Sequence, residues 1–163
     1  MKIDPVAASR LAFLCRVVEK EARYLGETDL RLFHQMTSPS ALDQLEADSL
    51  LSERLEAFVG RFGRLQDTLA DKLLPSLLEA SAEPRASALE NLDRAEKLGW
   101  IDSADDWMSA RRLRNLMVHE YIEDRQILFG ALMAGHRFVP TLVATARKLS
   151  QKASFFFGDP ATE

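Results

Sequence analysis

The chain has 163 residues, 47% of them hydrophobic and 28% charged, which suits one globular domain able to bury a core without disulfides or metals. A net charge of −4 excludes a general basic coat, so any contact with RNA or DNA must be confined to a local basic patch. Cys15 is the one cysteine, which excludes an internal disulfide and a multi-cysteine metal site.

The count of only 7 Gly and 6 Pro favours long helices over the many turns of an all-β fold. Asp4-Pro5 reads as a cap followed by proline at the first helical position. Leu11, Leu14, Val18, Ala22 and Leu25 then form an apolar stripe, and Gly26 is expected to end this first helix. Cys15, lying among Leu11, Leu14 and Val18, reads as a small buried hydrophobe. Thr37-Ser38-Pro39-Ser40 is a breaker cluster closing an irregular connection over residues 27–40.

In the second helix Leu51, Leu55, Phe58, Phe62, Leu65 and Leu69 alternate steps of four and three, a seam for nearly antiparallel packing. Gly60 and Gly63 lie inside it and mark a place of close approach; Pro75 should end or kink the helix. Glu83-Pro84-Arg85 is expected to start a short helix carrying Leu89, Leu92 and Leu98, stopped by Gly99. Ser103-Ala104-Asp105-Asp106 resembles a capping box, opening a helix that runs through Trp107 to about Tyr121. The last helix starts near Glu123 and carries Leu128, Leu132, Gly135, Val139, Leu142, Ala146 and Leu149, with Pro140 expected to kink it.

The expected fold is therefore all-α: about five helices in an up-and-down antiparallel bundle, one domain over residues 1–154, with a tail at 155–163. Phe155, Phe156 and Phe157 cannot all face one way on a helix and would dock on the bundle or on a partner. No apolar run is read as long enough for a membrane span, and Arg10 and Arg16 interrupt any secretory signal, so a cytoplasmic protein is expected.

Chemistry concentrates between Arg111 and Tyr121. At about 100° per residue, Trp107, Ala110, Leu113, Met117 and Tyr121 share one core-facing side. Asn115 and His119 lie one turn apart on another face, flanked by Arg111 and Arg112, an arrangement suited to phosphate. Arg114 points into the apolar arc, about 140° around the axis from His119. It must reach a carboxylate, snorkel to water, or cross to a second subunit. Taken on residue type alone, His119 reads as a surface histidine, Arg114 as an ion-pair partner and Tyr121 as core. His34 and His136 have no recognisable partners and read as solvated. The acids Asp43, Glu46, Asp48, Glu53 and Glu56 read as a solvated face, not a metal site. No Gly-rich phosphate loop, nucleophile elbow or zinc-ligand spacing is present, and no cofactor is expected.

The spacing of Arg114, Asn115, His119 and Tyr121 on a capped helix resembles the HEPN proteins, and among them the HepT-type toxins that pair with a small nucleotidyltransferase antitoxin. The specific likeness covers residues 103–121. It implies a homodimer whose two motifs meet in a composite cleft that cleaves RNA without a metal. His119 would be general base or general acid. Arg114 would stabilise the transition-state charge, and Asn115 would orient His119 or bind a phosphate oxygen. Arg111 and Arg112 would bind the RNA backbone, and Tyr121 would be adenylylated by the partner. Two other expectations stand beside this one: a non-catalytic subunit that docks a nucleotidyltransferase and presents its substrate, and a purely structural helical adaptor.

Overall fold

The computed structural model describes residues 3–84, 86–120 and 123–157, and among them there is no strand. The α-helices are α1 (Pro5–Gln35), α2 (Ser49–Asp67), α3 (Leu74–Ala80), α4 (Ala88–Lys97), α5 (Ala104–Glu120) and α6 (Arg125–Phe157). A short 3₁₀ helix, Pro39–Gln44, links α1 to α2. A π-helical turn, Thr68–Leu73, fuses α2 to α3 in one rod.

The first helix does not stop at Gly26 but continues to Gln35. A glycine inside a helix costs roughly 1 kcal/mol, whereas Leu25, Thr28 and Leu32 extend the buried stripe beyond it. The breaker cluster does end the connection, with Pro39 opening the 3₁₀ turn. Asp48 caps α2, its Oδ1 accepting from the Leu51 N–H at 3.0 Å. The other carboxylate oxygen accepts from Gln35 Nε2 at 3.0 Å, and Arg54 donates to Gln35 Oε1 at 3.1 Å, which pins the end of α1 to the start of α2.

Pro75 does not end its helix. The π turn lies immediately before it, and Leu74 N–H bonds back five residues to the Leu69 carbonyl. Widening the backbone there accommodates a ring that would crowd an α-helical turn and a nitrogen with no hydrogen to donate. The short helix starts later than Glu83-Pro84-Arg85 suggested. Ser87 and Glu90 form a reciprocal capping box that fixes the start at Ala88. Arg85 lies outside the described residues. Leu92 is buried with Asn91 and Ala95, whereas Leu89 and Leu98 are exposed. Gly99, at φ 72°, ends the helix as expected.

The four long rods pack as an up-and-down ring in the order α1, α2, α5, α6, with α3 extending the α2 rod and α4 packed on α3 and α5. Cross-contacts give the directions: Thr28 meets Arg61 and Glu21 meets Thr68, so α1 and α2 are antiparallel. Asp29 meets His136 and Cys15 meets Ser150, so α1 and α6 are antiparallel too. A run of aromatic contacts ties all four rods: Phe33 to Phe58 at 5.1 Å, Phe58 to Phe62 at 5.9 Å, Phe62 to Phe138 at 6.4 Å, and Phe138 to Trp107 at 5.7 Å.

Helix α6 is capped by Asp124, whose carboxylate accepts from the N–H groups of Gln126 and Ile127. It runs unbroken past Pro140, which lies on its exposed side, where the carbonyl left without a partner can meet water. It includes Phe155–Phe157, so those three belong to the helix and not to a tail. Phe156 and Phe157 pack against the core and Phe155 is 90% exposed, the split that helical geometry requires. By length and composition α6 is apolar enough to cross a membrane, where no run of that kind was expected. In this fold Leu128, Leu132, Val139, Leu142 and Leu149 are buried in the bundle.

His136 is not without partners, although its side chain is 37% exposed. Its Nδ1 lies 2.7 Å from Asp29 Oδ1, and its ring stacks on Phe33 at 4.1 Å. Burial pushes the Asp29 carboxyl up, opposed by the bond to His136.

Glu21 is half-buried beside the π turn. Its Oε1 is 3.2 Å from the Thr68 hydroxyl, and its Oε2 is buried without a partner. Burial pushes its carboxyl up, opposed by Thr68, Arg64 and Lys72. A carboxyl raised in the folded state holds its proton more tightly there than in the unfolded chain, so stability falls as pH rises through the carboxylate range. Glu21→Gln is expected to raise the melting temperature by about 2 °C at neutral pH. The gain should shrink at acid pH, where the wild-type carboxyl is protonated. Thermal unfolding of the two proteins across that range checks it, and a variant melting lower at neutral pH refutes it.

Candidate functional site

The core-facing side of α5 is as the spacing predicted. Trp107, Ala110 and Met117 are buried, and Leu113 is partly buried. Met117 inserts at Gly135 of α6, where any Cβ would collide with its methyl group. The Ser103 hydroxyl accepts from the Asp106 N–H at 3.2 Å, so the expected N-terminal cap is in place.

Arg114 takes the first of its three possible courses, reaching a carboxylate on α2. Its Nη1 donates to Asp67 Oδ2 at 2.5 Å. The side chain crosses Gly63, where an added Cβ would lie 2.6 Å from Nε and 3.1 Å from Cδ and Cζ. Gly63 therefore admits a side chain, not a neighbouring backbone. Gly60 meets only Arg64, at 3.7 Å. One turn earlier Arg111 pairs with Asp71 of the π turn. The two ion pairs form a ladder along the α2–α5 seam.

Arg112, Asn115 and His119 lie on the outer side of α5 and are all exposed. Arg112 donates to Ser109 Oγ within the same helix at 3.1 Å. No hydrogen bond or ion pair joins His119 to Arg114 among the described residues. A single copy of the chain thus separates the expected catalytic set: Asn115 and His119 face outward, while Arg114 and Arg111 turn toward α2. Tyr121 lies outside the described residues. Leu116 and Val118, 40% and 57% exposed, add apolar surface beside Asn115 and His119.

Asp67 and Asp71 were not singled out from the sequence. The available signal was the direction of Arg114 into the apolar arc, which demanded a carboxylate without saying which. Asp43 and Glu46 pair with Arg125 at 3.0 and 3.9 Å, and among the described residues no three His, Cys, Asp or Glu gather to hold a metal ion. Comparisons with family models, with curated proteins and with solved structures each returned no match.

The notch at Gly63 gives a direct test. Alanine in an open helical position should stabilise by about 0.5–1 kcal/mol over glycine, or about 1–4 °C. Gly60→Ala is expected to show that gain, and Gly63→Ala is expected to show none. On an Arg114→Ala background Gly63→Ala should recover the gain. Equal melting shifts for the two glycines in the wild-type background would mean that the arginine does not occupy the notch.

Proposed function

We propose that the chain is a HEPN toxin-like, metal-independent endoribonuclease of a toxin–antitoxin pair. It acts in the cytoplasm as a two-fold dimer and is restrained by a nucleotidyltransferase antitoxin. The observation that carries the reading is the outer stripe of α5. Asn115 and His119, one turn apart, are exposed beside Arg112, and their side chains make no hydrogen bond or ion pair among the described residues. An imidazole and an amide so presented are free to meet a ligand.

One copy supplies one such stripe. Two copies packed through Leu116 and Val118 would set two imidazoles across one cleft. One His119 takes the proton of a ribose 2′-hydroxyl, whose oxygen attacks the adjacent phosphorus. The other protonates the departing 5′-oxygen, leaving a 2′,3′-cyclic phosphate and a 5′-hydroxyl. Arg114 gives Asp67 one of its five N–H donors, leaving others for the phosphorane charge. Arg111 and Arg112 bind the flanking backbone. Transfer of AMP from ATP to the Tyr121 hydroxyl by the partner, with release of pyrophosphate, would block that cleft by bulk and charge.

A second reading is favoured by the Arg114–Asp67 pair, which satisfies the arginine within one chain. On that reading the protein is a non-catalytic subunit that binds a nucleotidyltransferase and presents its substrate.

RNA digestion by the purified protein in EDTA separates the two. The nuclease reading expects cleavage with cyclic phosphate ends, lowered about 10²–10⁴-fold in His119→Ala. Leu116→Glu should give a monomer by light scattering and the same loss. Intact RNA at every protein concentration, together with a stable transferase complex, would leave the second reading standing. Incubation with the partner and ATP is expected to add one AMP to the intact mass, and Tyr121→Phe to abolish it. Retention of the added mass in Tyr121→Phe would move the modification elsewhere.

A further inference from the structure

A groove of about 1030 Å³ runs along the outer face of α1 and α6, at the opposite edge of the ring from the α2–α5 seam. It is lined on α1 from Pro5 to Arg23 and on α6 from Val143 to Phe157. Eighteen residue steps of α1 correspond to about 27 Å, or about five helical turns. Ala8, Ala12, Cys15 and Ala22 from α1, with Ala146 and Ser150 from α6, keep its lining shallow and small. A floor of small side chains admits the close approach of a helical backbone.

Its rims are cationic. Arg16 and Arg23 stand on one side and Arg147 on the other, with Glu19 the single acid among the described lining residues. None of the three arginines makes an ion pair among the described residues. Arg16 and Arg23 lean instead on the rings of Phe13 and Tyr24, at 5.9 and 5.2 Å. Seven residues apart, they are about 10 Å from each other along the axis. The charges are therefore spread along the groove at the two-turn repeat of a helix, not gathered at one end as a single headgroup would need. Phe156 and Phe157 supply an apolar end wall.

The geometry points to this groove as the docking site of an amphipathic helix of a partner protein, with a small apolar seam and acidic residues along both flanks. The helix lies between α1 and α6, its seam on the alanine floor and its carboxylates on Arg16, Arg23 and Arg147. The inference rests on none of the residues assigned to RNA, and its failure leaves that reading untouched.

The test uses the full chain and a fluorescein-labelled synthetic helix of 21 residues, with Leu and Ala on its seam and Glu on its flanks, beside a twin flanked by Lys. Anisotropy titration is expected to show the Glu helix binding at least about tenfold more tightly than its twin. The exposed double reversal Arg16→Glu/Arg23→Glu should abolish that preference, and Ala12→Glu should weaken the Glu helix about tenfold. Circular dichroism checks that each variant is folded. Equal binding of the two helices, or binding of neither, overturns the proposal. So does light scattering that shows a dimer dissociated by the double reversal, which would give the groove to a second copy. Displacement of the Glu helix by oleate at equal concentration would give it to an anionic amphiphile.

Discussion

The rotational phase of α5 is the constraint on which the candidate site depends. Trp107 stands edge-on to Phe138 and Met117 fills the space at Gly135, so α5 is keyed to α6 at two points more than two turns apart. With those contacts fixed, the roughly 100° step between residues leaves no freedom in where the others go. Arg111 and Arg114 must face α2, and Arg112, Asn115 and His119 must face outward. Neither Arg114 nor His119 can exchange roles without unseating a buried aromatic or methionine. The local separation of the basic and imidazole groups is thus a consequence of core packing.

The strength of the Arg114–Asp67 pair determines what that separation means. Both side chains are about two-fifths exposed, at 40% and 39%. Pairs of this kind contribute about 0–1 kcal/mol. Asp67 orients Arg114 along the notch without holding it against a phosphodiester, whose charge-assisted bonds to a guanidinium are at least as favourable. The same pair is compatible with a purely structural task. His119 is the residue that distinguishes these cases, because among the described residues no hydrogen bond or ion pair accounts for its side chain.

Much of the architecture was legible because core periodicity is a local property. The stripes on α1, α2, α5 and α6, the Ser103 cap and the Gly99 stop all follow from neighbours in sequence. The failures have the opposite character. Gly26 and Pro75 are local breakers that buried leucines and a π turn overrule. His136 appeared partnerless because its carboxylate, Asp29, lies 107 residues away. Likewise, the direction of Arg114 reduced its fate to three possibilities, but the choice of Asp67, 47 residues distant, belongs to the packing of α2 on α5. Within the site, the grouping of Asn115 with His119 could be read directly, and the ionic ladder could not.

The two basic features of the chain differ in how they are compensated. On the α2–α5 seam each arginine meets an aspartate, and the acidic balance of the protein is locally satisfied. Along the α1–α6 groove two arginines lean on aromatic rings and none of the three makes an ion pair among the described residues, although the chain as a whole carries an excess of acids. Self-repulsion between cations at a spacing of about 10 Å is weak at physiological ionic strength, close to the screening length. Leaving them unpaired therefore costs the fold little, and a docked row of carboxylates would gain several favourable contacts at once. A surface stripe of this kind reads as an interface whose complement lies on another molecule, on the side of the bundle that the α5 stripe leaves free.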